Sequence, residues 1–284
     1  MSKIKIVTDS TADLPLDIIK ELAITVVPLK VNFDKETFLE GKNLSSQDFY
    51  KKLSNSDRLP TTSQPSPGDF AAIYDGLAQE GAEEIISIHL SKKLSGTYQS
   101  ALIAKNMLES KVNVKVIDSQ LVSMGLGLIV INAARAIKAG KNSEDVCTLI
   151  SEIQQKMNTY FVVDTLEFLQ KGGRIGKASS LVGTLLNIKP ILTITSGEAH
   201  PYEKIRGKGK ALQRIIEITN QNVDREKIQC AITHSNSLDI ALKLHEKIQS
   251  QLNFTEIFIS DIGAVVGTHV GPGTVAFMYH TIFK

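Results

Sequence analysis

The stretch HLSKKLSGTYQSA, residues 89–101, places Ser91, Ser95, Thr97 and Ser100 around Gly96 and gives none of them a catalytic partner. A reactive serine needs a Gly-x-Ser-x-Gly elbow or a Ser-x-x-Lys pair, and Ser95 in Lys-Leu-Ser-Gly-Thr has neither. Ser91 has Lys92 and Lys93 only as chain neighbours, which is poor geometry for a Ser/Lys dyad. LQKGGRIG and HVGPGT lack the spacing of a nucleotide phosphate loop, and Gly125 and Gly127 lie inside a helical run. The six histidines form no His-x-x-x-His pair, so no metal centre is expected; His89 and His234 end apolar strands, where a hydrogen-bonded structural imidazole is the ordinary outcome. What remains is neutral donors. Ser95-Gly96-Thr97 follows a strand and opens a helix, so hydroxyls and N–H groups converge where the helix dipole favours an anion. Thr61, Thr62 and Ser63 in PTTSQPSPGDF form a second such set before another helix start. Two hydroxyl-rich loops without a base or a metal suit holding a small anion such as a carboxylate better than reacting with one.

The elements that must position these groups can be read from periodicity. Residues 3–8, 25–33, 83–90 and 112–118 are short β-branched or apolar runs alternating with helical segments: near Pro15, around SSQDFYKKL, from the capping box Ser66/Asp69, and from Gly96. Such alternation predicts a largely parallel sheet covered by helices, with ligands gathering at the carboxyl ends of its strands. VTDS and VIDS both end strands there, and Asp9, Ser10, Asp118 and Ser119 are assigned to capping rather than to a site. A long helical region covers 120–156. The texture then changes, predicting a domain boundary that separates 1–157 from 158–284. Beyond it a strand near 160–164, a short helix at 166–171 and a helical stretch from about 177 lead to a hairpin, 189–195 and 199–206, turning at Ser196-Gly197. KALQRIIEITNQ and LDIALKLHEKIQSQL read as helices; IQCAITH, FTEIFISDI and TVAFMYHTIF read as strands. The expected fold is therefore α/β in two domains, the first with a mainly parallel sheet, the second α+β with a mixed or antiparallel one.

Composition excludes several classes. The 284 residues carry 32 basic and 30 acidic side chains for a net charge of +2, interspersed along the chain, so neither nucleic acid nor an anionic membrane surface is indicated. No apolar run reaches a membrane span, MSKIKIVTDS has no signal-peptide core, and Cys147 and Cys230 read as buried thiols, together predicting a cytoplasmic protein.

Six strings in order, IVTDSTADLP, PTTSQPSPGDF, LSKKLSGTYQSA, VIDSQLVSMGLG, LEFLQKGGRI and GTHVGPGTVAF, resemble the DegV family of bacterial fatty-acid-binding proteins, the lipid-carrying subunits of fatty acid kinase. The resemblance runs from residue 4 to about 280. It implies one long-chain fatty acid in a tunnel, no other cofactor, and a carboxylate presented to a separate ATP-dependent kinase. It assigns carboxylate binding to Thr62 with Ser63, to Ser95 with a backbone donor at Gly96, and to His269. Arg174 and Arg206 match arginines associated with kinase docking. A tail of about fifteen methylenes at about 0.8 kcal/mol each offers on the order of 12 kcal/mol gross, so affinity should come from the tail and orientation from the head. The alternative from the residues alone is an enzyme acting on a small anionic substrate with Ser95 or His269 reactive.

Overall fold

The structure is a computed structural model that describes residues 3–109, 112–183 and 188–282. Strands β1 (Ile4–Asp9), β2 (Thr25–Val27), β6 (Glu84–His89) and β7 (Asn113–Asp118) form an all-parallel sheet in the order β2-β1-β6-β7. Helices α3 (Pro67–Gln79), α4 (Thr97–Lys105), α5 (Met124–Lys138) and α6 (Ser143–Lys156) provide its crossovers and its cover. Six further strands, β8 (Asn158–Val162), β9 (Ile188–Thr195), β10 (Glu198–Arg206), β11 (Ile228–His234), β12 (Phe254–Asp261) and β13 (Val275–Thr281), pair in the order β10-β9-β8-β13-β11-β12. Only β11 and β12 run parallel. Helices α8 (Lys208–Val223) and α9 (Leu238–Gln251) close one face of this mixed sheet through Ile215, Ile216, Leu244 and Ile248. The molecule is thus α/β, with a parallel sheet N-terminally and a mixed sheet C-terminally.

Helix α5 lies between the two sheets. Leu126, Ile129, Val130 and Ala133 pack toward the parallel sheet, while Met124, Leu128 and Ile131 pack toward the mixed one. Gly127 permits this closeness: a Cβ there would stand 2.7 Å from the Ala12 carbonyl oxygen, so only glycine lets α5 press on the turn after β1. Of the two glycines that weaken a helical reading by propensity, Gly127 is here a condition of packing, while Gly125 would have room for a Cβ.

A small antiparallel sheet, β4-β3-β5, was not expected. It comprises β3 (Lys30–Phe33), β4 (Glu36–Leu39) and β5 (Thr61–Ser63). The run 25–33, read as one strand, breaks at Pro28, because proline has no N–H for a ladder, and its halves join different sheets. Thr61–Ser63, read as a loop, is a strand whose Thr62 pairs with Val31. The helical region 120–156 is two helices, divided where Gly140 adopts a left-handed φ of 86°. The stretch from about 177 is a 3-10 turn, Gly176–Leu181, and the remainder of that reading at 184–187 lies outside the described residues. Cys230 is buried, but Cys147 is only half-buried, packed against the core of the parallel sheet. Among the described residues no helix is long and apolar enough to cross a membrane.

Candidate functional site

The remaining helices are α1 (Leu16–Glu21), α2 (Ser46–Ser54), α7 (Glu167–Lys171) and α10 (Ala264–Val270). Between the free face of the mixed sheet and the elements above it lies a cavity of about 320 Å³, within the size range of small-molecule sites. Its body is apolar, with Phe161, Ile194, Ala276 and Met278 from the sheet and Val265 and Val266 from α10. Apart from Thr11, Ser123, Thr159, Thr233 and Thr274, its polar groups form a ring built from four separate segments. β5 brings Thr62 and Ser63, with Gln64 directly after it; the turn before α4 brings Ser95; the turn after α7 brings Arg174; α10 brings His269.

The contacts around this ring are tight. Thr62 Oγ1 lies 2.9 Å from His269 Nε2. His269 Nδ1 is wedged against Gly172, where a Cβ would come within 2.3 Å of it. Arg174 Nε donates to the Leu94 carbonyl at 3.0 Å and Nη1 to that of Gly172 at 2.7 Å, tying the turn after α7 to the segment that carries Ser95. Gly96 begins α4 without lining the cavity; the Gln64 amide covers the place where its Cβ would be, at 2.3 Å, and donates to Ser100. Thr62, Ser63, Ser95 and His269 therefore come together with Gly96 close behind, and Arg174 stands in the same wall. Arg206 does not: it is exposed at the end of β10. Gln64 went unassigned although it follows Ser63 directly in PTTSQ.

Burial, with the Arg174 charge adding to it, pushes the His269 imidazole down to about 4, so the ring is neutral at physiological pH. Its Nδ1 is buried without a hydrogen-bond partner. A proton there would be an unsatisfied buried donor, so the favoured tautomer carries it on Nε2 and donates to Thr62. The Thr62 hydroxyl hydrogen is then left to donate into the cavity. An anion at this place meets several hydroxyls and one guanidinium, with no imidazolium. Ser95 Oγ pairs with Thr97 Oγ1 at 2.9 Å, and the imidazole with Thr62, so neither bond couples a nucleophile to a base.

A second polar cluster looks more catalytic than this and is not. Asp9 Oδ2 lies 3.0 Å from His89 Nδ1, His89 Nε2 lies 2.7 Å from Ser87 Oγ, and Tyr74 donates to Ser87 at 2.7 Å. Ser87, His89 and Asp9 have the order of a nucleophile relay, yet all are fully buried and none lines the cavity. Asp9 also accepts from the N–H groups of Leu90 and Thr11, which fixes the strand ends flanking the site. Asp9 thus caps the short 3-10 turn after β1, as expected, whereas Asp118 caps no helix and accepts instead from the loop N–H groups of Lys92 and Gln120. Exchanging Asp9 for asparagine sets an amide N–H₂ against at least one of its donors. We expect Asp9→Asn to lower unfolding stability by about 2 kcal/mol, read as a shifted urea midpoint at unchanged slope.

Two buried carboxyl groups sit beneath α10. Asp13 accepts from the Gly263 N–H at 3.0 Å and from Ser123 Oγ at 2.6 Å; Glu40 accepts from the Val265 N–H at 2.7 Å. Ser123 holds a left-handed φ of 56°, a strained conformation for serine, while its N–H donates to Thr11 and its hydroxyl to Asp13. Burial raises Asp13 well above the ordinary carboxylate range, with Glu40 adding to it, and burial raises Glu40 to about 7. For groups raised in the folded state, the associated stability is complete below the unfolded value, 4.5 for Glu40, and is lost as pH rises through about 7. The His269 contribution has the opposite sign: it is complete above 6.5 and lost as pH falls toward 4. Stability should accordingly fall as pH rises through neutrality, and Glu40→Gln should flatten that fall. Urea midpoints measured from about pH 5 to about pH 8 in both proteins check this.

Comparison with known proteins follows the same outline. The family model described as "Uncharacterised protein, DegV family" matches residues 3–281. A DegV domain-containing protein of Halalkalibacterium halodurans is 42% identical over 281 residues, covering 99% of each chain. A solved DegV family protein from Thermus thermophilus, described for its fatty acid binding, superposes with a TM-score of 0.93 at 36% identity, covering 98% of this chain and 99% of its own. DegV of Bacillus subtilis, described as a fatty acid binding protein, gives a TM-score of 0.90 at 34% identity over 99% and 100% of the two chains.

Proposed function

The chain belongs to the DegV family, and on that premise we propose that it holds one long-chain fatty acid in the cavity and presents the carboxylate to a separate ATP-dependent fatty acid kinase. The carrying observation is the ring of Thr62, Ser63, Ser95 and His269 set on a cavity whose body is apolar. A carboxylate at that ring accepts charge-assisted bonds from fixed hydroxyls, which offsets its desolvation, and Arg174 supplies the nearby positive charge. The acyl tail, lying between residues 1–157 and 158–284, supplies most of the affinity. Because the head group is oriented by neutral donors and not attacked, one of its oxygens stays available to accept a phosphoryl group from the partner's ATP.

The role needs no metal or other cofactor, and it suits a cytoplasmic protein that carries lipid without inserting into a membrane. Arg206, exposed at the end of β10, is our candidate for contact with the kinase, while Arg174 acts from within the wall. The bonding of Ser95 and His269 lends nothing to the alternative of a reactive serine or histidine. Native mass spectrometry of protein purified from cells tests the reading. An added mass of one fatty acid is expected; a chain that arrives empty and takes none from a fatty acid dispersion sinks it.

A further inference from the structure

Ser95 lines the cavity, but the side chain that sets the direction of its hydroxyl stands behind it. Thr97, the first residue of α4, is fully buried and does not line the cavity. Its Oγ1 lies 2.9 Å from Ser95 Oγ, and its N–H donates to the same oxygen at 3.3 Å. Among the described residues Thr97 Oγ1 has no other hydrogen-bond partner. The backbone of Ser95 is fixed as well, its N–H donating to the Ser91 carbonyl at 3.1 Å.

Burial decides which hydroxyl donates. Were Ser95 the donor, the Thr97 hydrogen would be left without an acceptor where water does not reach, a costly arrangement. With Thr97 as the donor, both groups are satisfied. Ser95 Oγ then accepts from the Thr97 hydroxyl and from the Thr97 N–H, which fills its two acceptor places. What remains to Ser95 is its hydrogen, with the cavity as the open side. His269 and Thr62 repeat the arrangement from two other segments, the imidazole N–H donating to a hydroxyl whose hydrogen is left for the cavity.

We propose that Thr97 is a positioning residue of the head-group site: by donating twice to Ser95 Oγ it keeps the Ser95 hydroxyl a donor to the bound carboxylate. The inference rests on the fatty-acid reading above and adds to it a residue that never touches the ligand. A hydroxyl that already accepts from a neighbour is also the stronger donor, so the bond to the carboxylate gains strength as well as direction. Without the Thr97 hydroxyl, Ser95 turns freely and can set a lone pair against the carboxylate.

The test follows palmitic acid, labelled with carbon-13 at its carboxyl and bound to delipidated protein, through an acid titration by NMR. Thr97→Val keeps the shape and the backbone donor but removes the hydroxyl. It should raise the midpoint of the bound carboxyl by about one pH unit, a roughly tenfold loss of preference for the ionised form. Thr97→Ala should do the same with less bulk at the buried position, and Thr97→Ser should keep the wild-type midpoint. In a Ser95→Ala background Thr97→Val should add nothing, whereas a general loosening of α4 would still show there. His269 and Arg174 belong to the ring in every variant, so differences between variants report Thr97. A wild-type midpoint in Thr97→Val and Thr97→Ala, an equal rise in Thr97→Ser, or a rise that persists without Ser95 overturns the inference while leaving the carrier function intact. A wild type that binds no palmitic acid overturns both.

Discussion

Ala276→Phe is expected to reduce fatty-acid affinity on the order of a hundredfold while the protein stays folded. Ala276 is buried on β13, opposite Phe161, and faces the cavity. A phenyl ring there occupies the space of several methylenes, and at about 0.8 kcal/mol each the excluded length accounts for a loss of about 3 kcal/mol. The fold has room for the ring because the cavity receives it, so any overpacking penalty should stay at the low end of about 1–3 kcal/mol. Titration of delipidated protein with a long-chain fatty acid, alongside a thermal melt, reads both quantities. Affinity within threefold of wild type, in a folded variant, would mean that the acyl chain lies elsewhere.

Thr62→Val should separate holding the lipid from presenting it. The substitution removes one hydroxyl from the proposed head-group ring and leaves His269 Nε2 facing a methyl group in place of its 2.9 Å partner. A charge-assisted bond is worth about 1.5–3 kcal/mol and an unpaired buried donor costs about 1–3 kcal/mol, so acyl phosphate formation with the kinase should fall roughly a hundredfold. The tail remains, and the purified variant should still carry lipid in native mass spectra. Equal activity in the variant and the wild type would remove Thr62 from the head-group site.

Much of the architecture was legible because local chemistry and tertiary need agreed. The capping box at Ser66 and Asp69 starts α3 as its sequence indicates, and the β-branched runs of β1, β6 and β7 are strands buried on both faces. Reading failed where a single residue redirected the chain. Pro28 split one apparent strand between two sheets, and three residues, Thr61–Ser63, became a strand only because Lys30–Asn32 lies beside them. A pairing partner thirty residues away leaves no periodic trace in so short a segment.

The site shows the same division. Hydroxyls before helix starts were visible as donors, but their convergence was not, since His269 and Thr62 are 207 positions apart in the chain. Taken from its neighbours, His269 reads as an ordinary surface-loop histidine, though it lies in α10; the resemblance, not its spacing, drew attention to it. The carboxyls of Asp13 and Glu40 carried no signal, because burial first and neighbouring carboxylates second raise them, and both are properties of the assembled fold. Arg174, matched by the resemblance to a docking arginine, also lines the cavity, held there by backbone carbonyls that no motif announces. Cavity-lining residues such as Phe161 and Met278 look like any core residues, since lining and core share one composition.

The most direct measurement is the carbon NMR signal of a fatty acid labelled at its carboxyl carbon and bound to the protein, followed through an acid titration. One bound resonance is expected, remaining ionised below the ordinary carboxylate range because hydroxyl donors and Arg174 favour the charged form, and moving when Thr62 becomes valine. A carboxyl signal that titrates like the free acid, and that Thr62→Val leaves in place, contradicts a head group held by Thr62 and its neighbours.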